Sequence, residues 1–310
     1  MTVMMIDAGG TISSAPDAGG RLAGGKDGLT GTGLLRRQVY AGLSEEMTLA
    51  DMARVRDAVL DALGDPAVSG VIVAHGTDAL EETAFLIDLS APPTKPVIVT
   101  GAMLPMQAPG SDAPGNLALA IRAASTPALA AHGVLVAFAG HLIPAASVYK
   151  HSSHALDGFG WRFGEAGRED AAPPAYPRAE PLPAVVPDGG CPILALAGGD
   201  DGAMIHAALD HGARGLVLMA LGRGNASAGA LAAVRRAIAA GVPVAIASRC
   251  PVGGTGADYA TGAALAEAGA TFAGDLGPTQ ARILLSTLVA LGHTPAAIAA
   301  QISARGAILA

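Results

Sequence analysis

Short runs of Val, Ile, Leu and Ala, each followed by a stretch with helical spacing, recur along nearly the whole chain. This alternation points to a parallel sheet with helical crossovers, because neighbouring parallel strands need a connection of a dozen or more residues. In the first half the apolar runs fall at residues 3–6, 70–74, 97–100 and 133–139, and the helical patterns at 49–63, 81–89 and 116–124. The second half repeats the alternation with runs at 193–197, 215–220 and 242–247 and helices at 203–210 and 229–240. A terminal pair of helices should start near Pro278 and Pro295, since proline suits the first helical turn, where its missing N–H costs nothing. Aromatic residues are only 3% of the chain, so the core must be built from small aliphatic side chains at short backbone distances.

The 310 residues are enough for two cores. Between residues 171 and 190 the sequence turns to Ala-Ala-Pro-Pro-Ala-Tyr-Pro-Arg-Ala-Glu-Pro-Leu-Pro, which extends the backbone and cannot be helical. The expected organisation is a larger N-terminal α/β domain over 1–175, a linker over 176–190 and a smaller C-terminal α/β domain over 191–310.

Several function classes drop out. A formal charge of −7 and the lack of any Lys/Arg cluster leave no basic surface for phosphate backbones, so nucleic acid is not an expected partner. No apolar run is long enough to cross a bilayer, and the apolar opening ends in Asp7-Ala8-Gly9-Gly10 without a basic segment before it. The expectation is therefore a cytoplasmic protein with no membrane partner. Cys191 and Cys250 have neither metal spacing nor a disulfide framework and are expected to be two buried structural thiols. No His/Cys/Asp/Glu cluster has metal-ligand spacing, and no cofactor is expected.

Three first-domain strands are followed by small, polar, loop-forming residues: Gly9-Gly10-Thr11, His75-Gly76-Thr77-Asp78 and Gly101-Ala102-Met103. Right-handed crossovers bring the carboxyl ends of parallel strands to one edge, where ligands bind. Each piece also has a plain structural reading. Thr77 and Asp78 could be N-cap residues, with Asp78-Ala79-Leu80-Glu81 as a capping box. The glycines could serve an ordinary turn, and His75 a satisfied structural role.

Lysine usage adds a second signal. Of 19 Lys and Arg residues only three are lysines, at 26, 95 and 150. A desolvated lysine can become neutral and act as a base, which arginine cannot, so Lys150 could answer a need for an amine, although on this signal alone a solvated lysine after Val148-Tyr149 is the favoured reading. Two rival motifs fail. Gly20-Arg21-Leu22-Ala23-Gly24-Gly25-Lys26-Asp27 lacks the hydroxyl that would hold magnesium, and Gly9-Gly10-Thr11-Ile12-Ser13-Ser14 lacks the third glycine of a dinucleotide fingerprint.

Taken together, Ala8-Gly9-Gly10-Thr11-Ile12, Ala74-His75-Gly76-Thr77-Asp78-Ala79-Leu80-Glu81-Glu82-Thr83-Ala84, Thr100-Gly101-Ala102-Met103 and Val148-Tyr149-Lys150 resemble the two-threonine, bacterial-type L-asparaginase family. The likeness continues through Gly222-Arg223-Gly224-Asn225, Ala247-Ser248-Arg249 and Ala281-Arg282. It implies a flavodoxin-like N-terminal sheet domain, a smaller C-terminal α/β domain and a homo-oligomer, a dimer or dimer of dimers. It also implies hydrolysis of L-asparagine, and possibly L-glutamine, without a cofactor. By that resemblance Thr11 is the nucleophile, Thr77, Asp78 and Lys150 form a second catalytic group, with Lys150 expected to be buried, largely neutral and in hydrogen-bond reach of Thr77, and Gly10, Ser44, Glu45, Gly76 and Ala102 hold the substrate.

Three departures from the family pattern stand out. The segment from Ser13 to Gly33 has no tyrosine, although its glycines suit a moving lid. The glutamate that some members donate to a neighbour's site should fall within residues 251–261, where Asp258 or Tyr259 would take its place. The family's Gly-Asn-Gly-Asn turn reads Gly224-Asn225-Ala226-Ser227, with Asn225 retained for a neighbour-subunit contribution. The competing readings are a glutaminase-asparaginase of mixed specificity, the ammonia-generating subunit of a tRNA-dependent amidotransferase, and a catalytically weak amino-acid-binding homologue. One methylene is discriminated by only about 1–3 kcal/mol in pocket shape.

Overall fold

The computed structural model describes residues 2–13, 15–16, 22–23, 34–163, 166–168, 172–173, 176 and 178–308. The expected glycine-rich lid, with Lys26 and the P-loop-like letters around it, thus lies outside the described residues apart from its two short strands. The chain forms two compact units, Met1–Tyr176 with Glu180–Ala184, and Pro177–Ala179 with Val185–Ala310.

The first unit runs β1 (Thr2–Ala8), β2 (Ala15–Pro16), β3 (Leu22–Ala23), β4 (Leu35–Gln38), α1 (Leu49–Gly64), β5 (Val68–His75), α2 (Leu80–Ser90), β6 (Val97–Thr100), α3 (Ala113–Ala124), β7 (Val134–Phe138), β8 (His141–Pro144), β9 (Val148–Lys150), β10 (Phe159–Trp161) and β11 (Gly167–Arg168). Its main sheet has the order β11-β8-β7-β6-β5-β1-β4. The five strands from β4 to β7 are parallel, and β8 and β11 extend the edge antiparallel. Counting only the parallel strands, the order is that of the flavodoxin-like sheet, whose direction of winding reverses between its first and third strands, here β1 and β5.

Burial explains why the central strands read as unbroken apolar runs. Every residue of β6 and β7 is buried, because helices cover both faces of the sheet. Alternate side chains feed two cores: Ile6, Val73 and Val99 join α1 and α2 through Val59 and Ile87. Met5, Ile72 and Ile98 join α3 through Leu117 and Ala120. The edge strand β4, Leu-Arg-Arg-Gln, is largely exposed and carries no apolar run, so hydrophobic patterning does not mark it.

The second unit contains β12 (Ile193–Ala195), α4 (Ala203–Asp210), β13 (Leu216–Ala220), α5 (Ala228–Ala239), β14 (Val244–Ser248), α6 (Ala260–Glu267), β15 (Thr271–Phe272), α7 (Pro278–Ala290) and α8 (Pro295–Gly306). Its four strands are parallel in sequence order. Ile205, Leu218, Val234, Ile246 and Leu265 form its core, and Pro278 and Pro295 open their helices in the first turn. The thiols differ from expectation. Cys191 is buried, and that burial pushes its thiol up to about 11, but Cys250 lies beyond the end of β14 and is exposed. No helix among the described residues is long and apolar enough to cross a membrane.

Two glycines separate packing from helix propensity. A Cβ on Gly70 in β5 would lie 1.9 Å from the carbonyl oxygen of Ala124, at the end of α3. Gly70→Ala should therefore force strand and helix apart and destabilise the unit by about 1–3 kcal/mol or more. Gly115, exposed in the first turn of α3, has open space where its Cβ would stand. Gly115→Ala should be neutral or stabilising by up to about 1 kcal/mol. Urea unfolding midpoints of the two variants should move in opposite directions or, at the least, differ by that amount.

Candidate active site

The winding of the sheet reverses between β1 and β5, where ligands bind in folds of this kind, and both strands are followed by a hydroxyl at their carboxyl ends. After β1 the chain turns through Gly9 and Gly10, with φ of +73° and +80°, into a short 3-10 turn that starts at Thr11. Gly10 N–H donates to the Gly42 carbonyl at 3.1 Å. A Cβ on Gly10 would sit 2.0 Å from the Cα of Gly76, so the turns after β1 and β5 meet backbone to backbone. On its other side Gly76 faces Ser44, whose Cβ and Oγ would both be 2.6 Å from an added Cβ. Gly101 closes the third turn in the same way, its Cβ position being 2.7 Å from the His75 carbonyl oxygen and 3.4 Å from the Thr77 methyl.

These contacts join Thr11, Ser44, Thr77 and Ala102 in one neighbourhood through their immediate chain neighbours. Thr11 is partly exposed, Gly10, Gly76, Thr77 and Ala102 are buried, and Asp78 is exposed. Ser44 is buried, and its Oγ accepts the Asp78 N–H at 3.1 Å; Glu45 beside it is exposed in the 3-10 turn Ser44–Glu46. Lys150 comes from β9. Its Nζ donates to Thr77 Oγ1 at 2.8 Å and to Asp78 Oδ1 at 2.5 Å.

Two expectations need correction. Asp78 does not cap the following helix: α2 starts at Leu80, its N-cap Ala79 makes no side-chain bond, and the Asp78 carboxylate turns to Lys150. Lys150 is not fully buried, since 19% of its side chain remains exposed and it is ion-paired with Asp78.

The loops around these residues are held by polar groups that hydrophobic patterning does not reveal. Glu81 Oε2 accepts the Lys150 backbone N–H at 3.1 Å, tying β9 to the start of α2. The buried Ser147 Oγ accepts Arg162 N–H at 3.0 Å and Phe163 N–H at 3.2 Å, which pins the β9–β10 hairpin. The Asp112 carboxylate accepts the N–H groups of Met103 and Leu104, and Asn116 Nδ2 donates to the Gly101 carbonyl, fixing the third turn. Tyr40 O–H donates to the Leu43 carbonyl. Burial, then the charges of Asp51, Glu46 and Glu45, raises its pKa, so this phenol braces the turn leading to Ser44 and stays protonated. No group of three or more metal-ligating side chains occurs among the described residues.

Asn225, Asp258 and Tyr259 lie in the second unit. Asn225 Oδ1 accepts the Thr261 hydroxyl at 2.8 Å, Asp258 Oδ2 is paired with Arg223 Nε at 2.6 Å, and the Tyr259 side chain is 60% exposed. The serine of the Gly224-Asn225-Ala226-Ser227 turn caps α5, its Oγ accepting Ala230 N–H at 3.0 Å.

Chemically, the arrangement offers a hydroxyl on a glycine-rich turn, beside a hydroxyl, amine and carboxylate in hydrogen-bond sequence. Comparison with known proteins leads the same way. The family model Asparaginase, N-terminal, matches residues 2–170, and Glutaminase/Asparaginase C-terminal domain matches residues 192–302. The chain is 36% identical over 304 residues to a probable L-asparaginase of Deinococcus radiodurans, covering 93% of this chain and 92% of that protein. It is 30% identical over 314 residues to an L-asparaginase of Bacillus licheniformis, covering 93% and 95%. In fold it resembles the thermostable L-asparaginase from Thermococcus kodakarensis, with a TM-score of 0.87 at 24% identity and 100% of both chains covered. The probable cytoplasmic L-asparaginase from Campylobacter jejuni gives 0.83 at 24% identity, covering 97% and 99%.

His75 makes the site's acid stability testable. Its Nδ1 lies 2.7 Å from the Gly76 carbonyl, so this nitrogen carries the proton, and Nε2 is buried with no hydrogen-bond partner among the described residues. Burial lowers the imidazole pKa from 6.5 to about 4, against a smaller opposing effect of the Gly76 bond. Between pH 6.5 and about 4 the unfolded chain takes up a proton here that the folded chain refuses. Stability should therefore fall through that window, by roughly 3 kcal/mol in all, and show no further loss from this residue below it. Nitrogen-15 shifts of the ring should report a neutral imidazole at pH 5.5; a protonated ring at that pH would contradict the assignment.

Proposed function

The chain belongs to the asparaginase family, and from that premise we propose that it is an amidohydrolase converting L-asparagine to L-aspartate and ammonia through an acyl-enzyme on Thr11. The observation that carries the reading is the 2.8 Å contact of Lys150 Nζ with Thr77 Oγ1, on the same sheet edge as the Thr11 turn. Thr11 Oγ attacks the side-chain amide carbon, the hydroxyl proton leaves with the ammonia, and water then cleaves the ester to release aspartate. Thr77 and Lys150 form a proton relay: with Lys150 in its neutral amine form, the amine accepts the Thr77 proton as Thr77 takes one from the reacting centre, and both are handed back as the leaving group becomes ammonia.

Substrate selection is assigned to the charged ends of the amino acid. Asp78, with 55% of its side chain exposed, holds the α-ammonium in this reading, and Ser44 the α-carboxylate. Glu45 contributes beside Ser44, while Gly10, Gly76 and Ala102 shape the floor. The name of the fold neighbour from Campylobacter jejuni supports a cytoplasmic location. A dimer or dimer of dimers is part of the same reading, with Asn225 and the exposed Tyr259 facing a second copy. Asp258, already paired with Arg223, serves that interface by holding Arg223 in place.

Ammonia release should be measured with asparagine and glutamine separately. Thr11→Val removes the attacking hydroxyl at nearly constant volume, so turnover should vanish with the fold intact; wild-type-like release would exclude Thr11. Lys150→Arg keeps the charge but cannot accept a proton, and kcat should drop by about 10²-fold or more. Near-normal kcat in that variant would end the relay. Sedimentation at assay concentration should find the active species to be at least a dimer, and a fully active monomer would contradict the shared site.

A further inference from the structure

We propose that Asp7 is a positioning residue that locks the Thr11 turn to the strand leading into the substrate-holding Ser44 turn. The inference rests on Thr11 being the nucleophile. Asp7 stands in β1, beside the reversal of the sheet, and is 0% exposed. It is the one charged residue in a strand otherwise composed of Thr, Val, Met, Ile and Ala.

Its two carboxylate oxygens serve two segments. Oδ1 accepts Gly9 N–H at 3.0 Å and Ser13 O–H at 2.8 Å, and so spans the turn that holds Thr11 from both sides. Oδ2 accepts Arg36 Nε at 3.2 Å and a second Arg36 guanidinium N–H, with Gln38 Nε2 at 3.5 Å. Arg36 and Gln38 lie on β4, and the Asp7 carbonyl also accepts Val39 N–H at 2.8 Å and Tyr40 N–H at 3.3 Å. Beyond Tyr40 the same segment supplies the Gly42 carbonyl bound by Gly10, and then Ser44.

A buried carboxylate in a central strand is costly where packing is the only need, since an aliphatic residue of similar volume serves stability as well or better. Every side-chain hydrogen bond of Asp7 among the described residues goes to the nucleophile turn or to β4. That distribution fits a part that fixes the distance between attacking hydroxyl and bound substrate, to which rates are steeply sensitive.

The test compares the full-length protein with Asp7→Ala and with the double variant Asp7→Asn/Arg36→Gln. In the double variant the amide oxygen can still accept from Gly9 and Ser13, and its NH2 can donate to the new glutamine. Asp7→Ala should lower kcat for asparagine at least tenfold, with a smaller change in KM, and the double variant should recover most of that loss. Amide hydrogen exchange over residues 9–13 and 39–44 reads the coupling without turnover: both segments should lose protection together in Asp7→Ala and regain it in the double variant. A folded Asp7→Ala protein with wild-type kcat and unchanged exchange would overturn the proposal. If Asp7→Ala does not fold, a double variant that folds with wild-type kcat although residues 9–13 and 39–44 have both lost protection would do so too. A wild-type protein inactive on asparagine would count against the amidohydrolase reading alone, because the exchange pattern would still decide the role of Asp7.

Discussion

Between Gly10 and Gly76 only hydrogen atoms fit. A side-chain carbon on the first would stand 2.0 Å from the backbone of the second, and one on the second would collide with Ser44. Positive φ at Gly9 and Gly10 lets the chain leave β1 and turn at once across the end of β5, a path that L side chains rarely follow. This contact brings the turns after two adjacent parallel strands to van der Waals distance at the point where the sheet reverses its winding. Thr11 directly follows one of these glycines and Thr77 the other. Their separation is thus set by backbone sterics, the least adjustable part of the structure.

Glycine turns of this kind bring backbones together but leave N–H groups in need of partners. The fold answers with buried polar side chains. Asp112 takes two N–H groups of the third turn, Asp7 an N–H and a hydroxyl of the first, and Ser147 two N–H groups of the β10 end. A carboxylate is well suited to this work, because its acceptor-only oxygens can take several donors at once. The aliphatic cores on the two faces of the sheet hold the strands, and these few oxygens hold the loops that extend from them.

That division decides what could be read from the letters alone. Strands buried on both faces leave unbroken apolar runs, and β6 and α4 fall at residues 97–100 and 203–210 as the pattern predicts. The exposed edge strand β4 and the short antiparallel strands β8 to β11 leave no such run and are not marked by hydrophobic patterning. The site was visible where a hydroxyl follows glycine at a strand end. It was ambiguous at Asp78, because Thr and Asp before an apolar helix suit a cap and a catalytic turn equally well. Asp7 carries no mark of its role for a related reason: an acid shortly before two glycines reads as the end of a strand, and only the tertiary contacts with Arg36 reveal it as a buried junction. Cys250 follows an apolar run that suggests burial, but the chain has already left β14 there and the thiol is exposed.

The placement of Lys150 shows how the two kinds of support combine. Its ion pair with Asp78 joins side chains that are 19% and 55% exposed. A pair so open to water contributes about 0–1 kcal/mol and cannot be what fixes the amine. The backbone does that. Glu81 accepts the Lys150 N–H, Ser147 pins the hairpin from the preceding turn, and the Arg162 guanidinium lies 4.9 Å from the ring centre of Tyr149. With the main chain held from both sides, the flexible stem delivers its nitrogen to Thr77 without relying on the carboxylate. A substrate ammonium that engages Asp78 would then compete with a weak partner of Lys150, leaving its support intact and its contact with Thr77 in place.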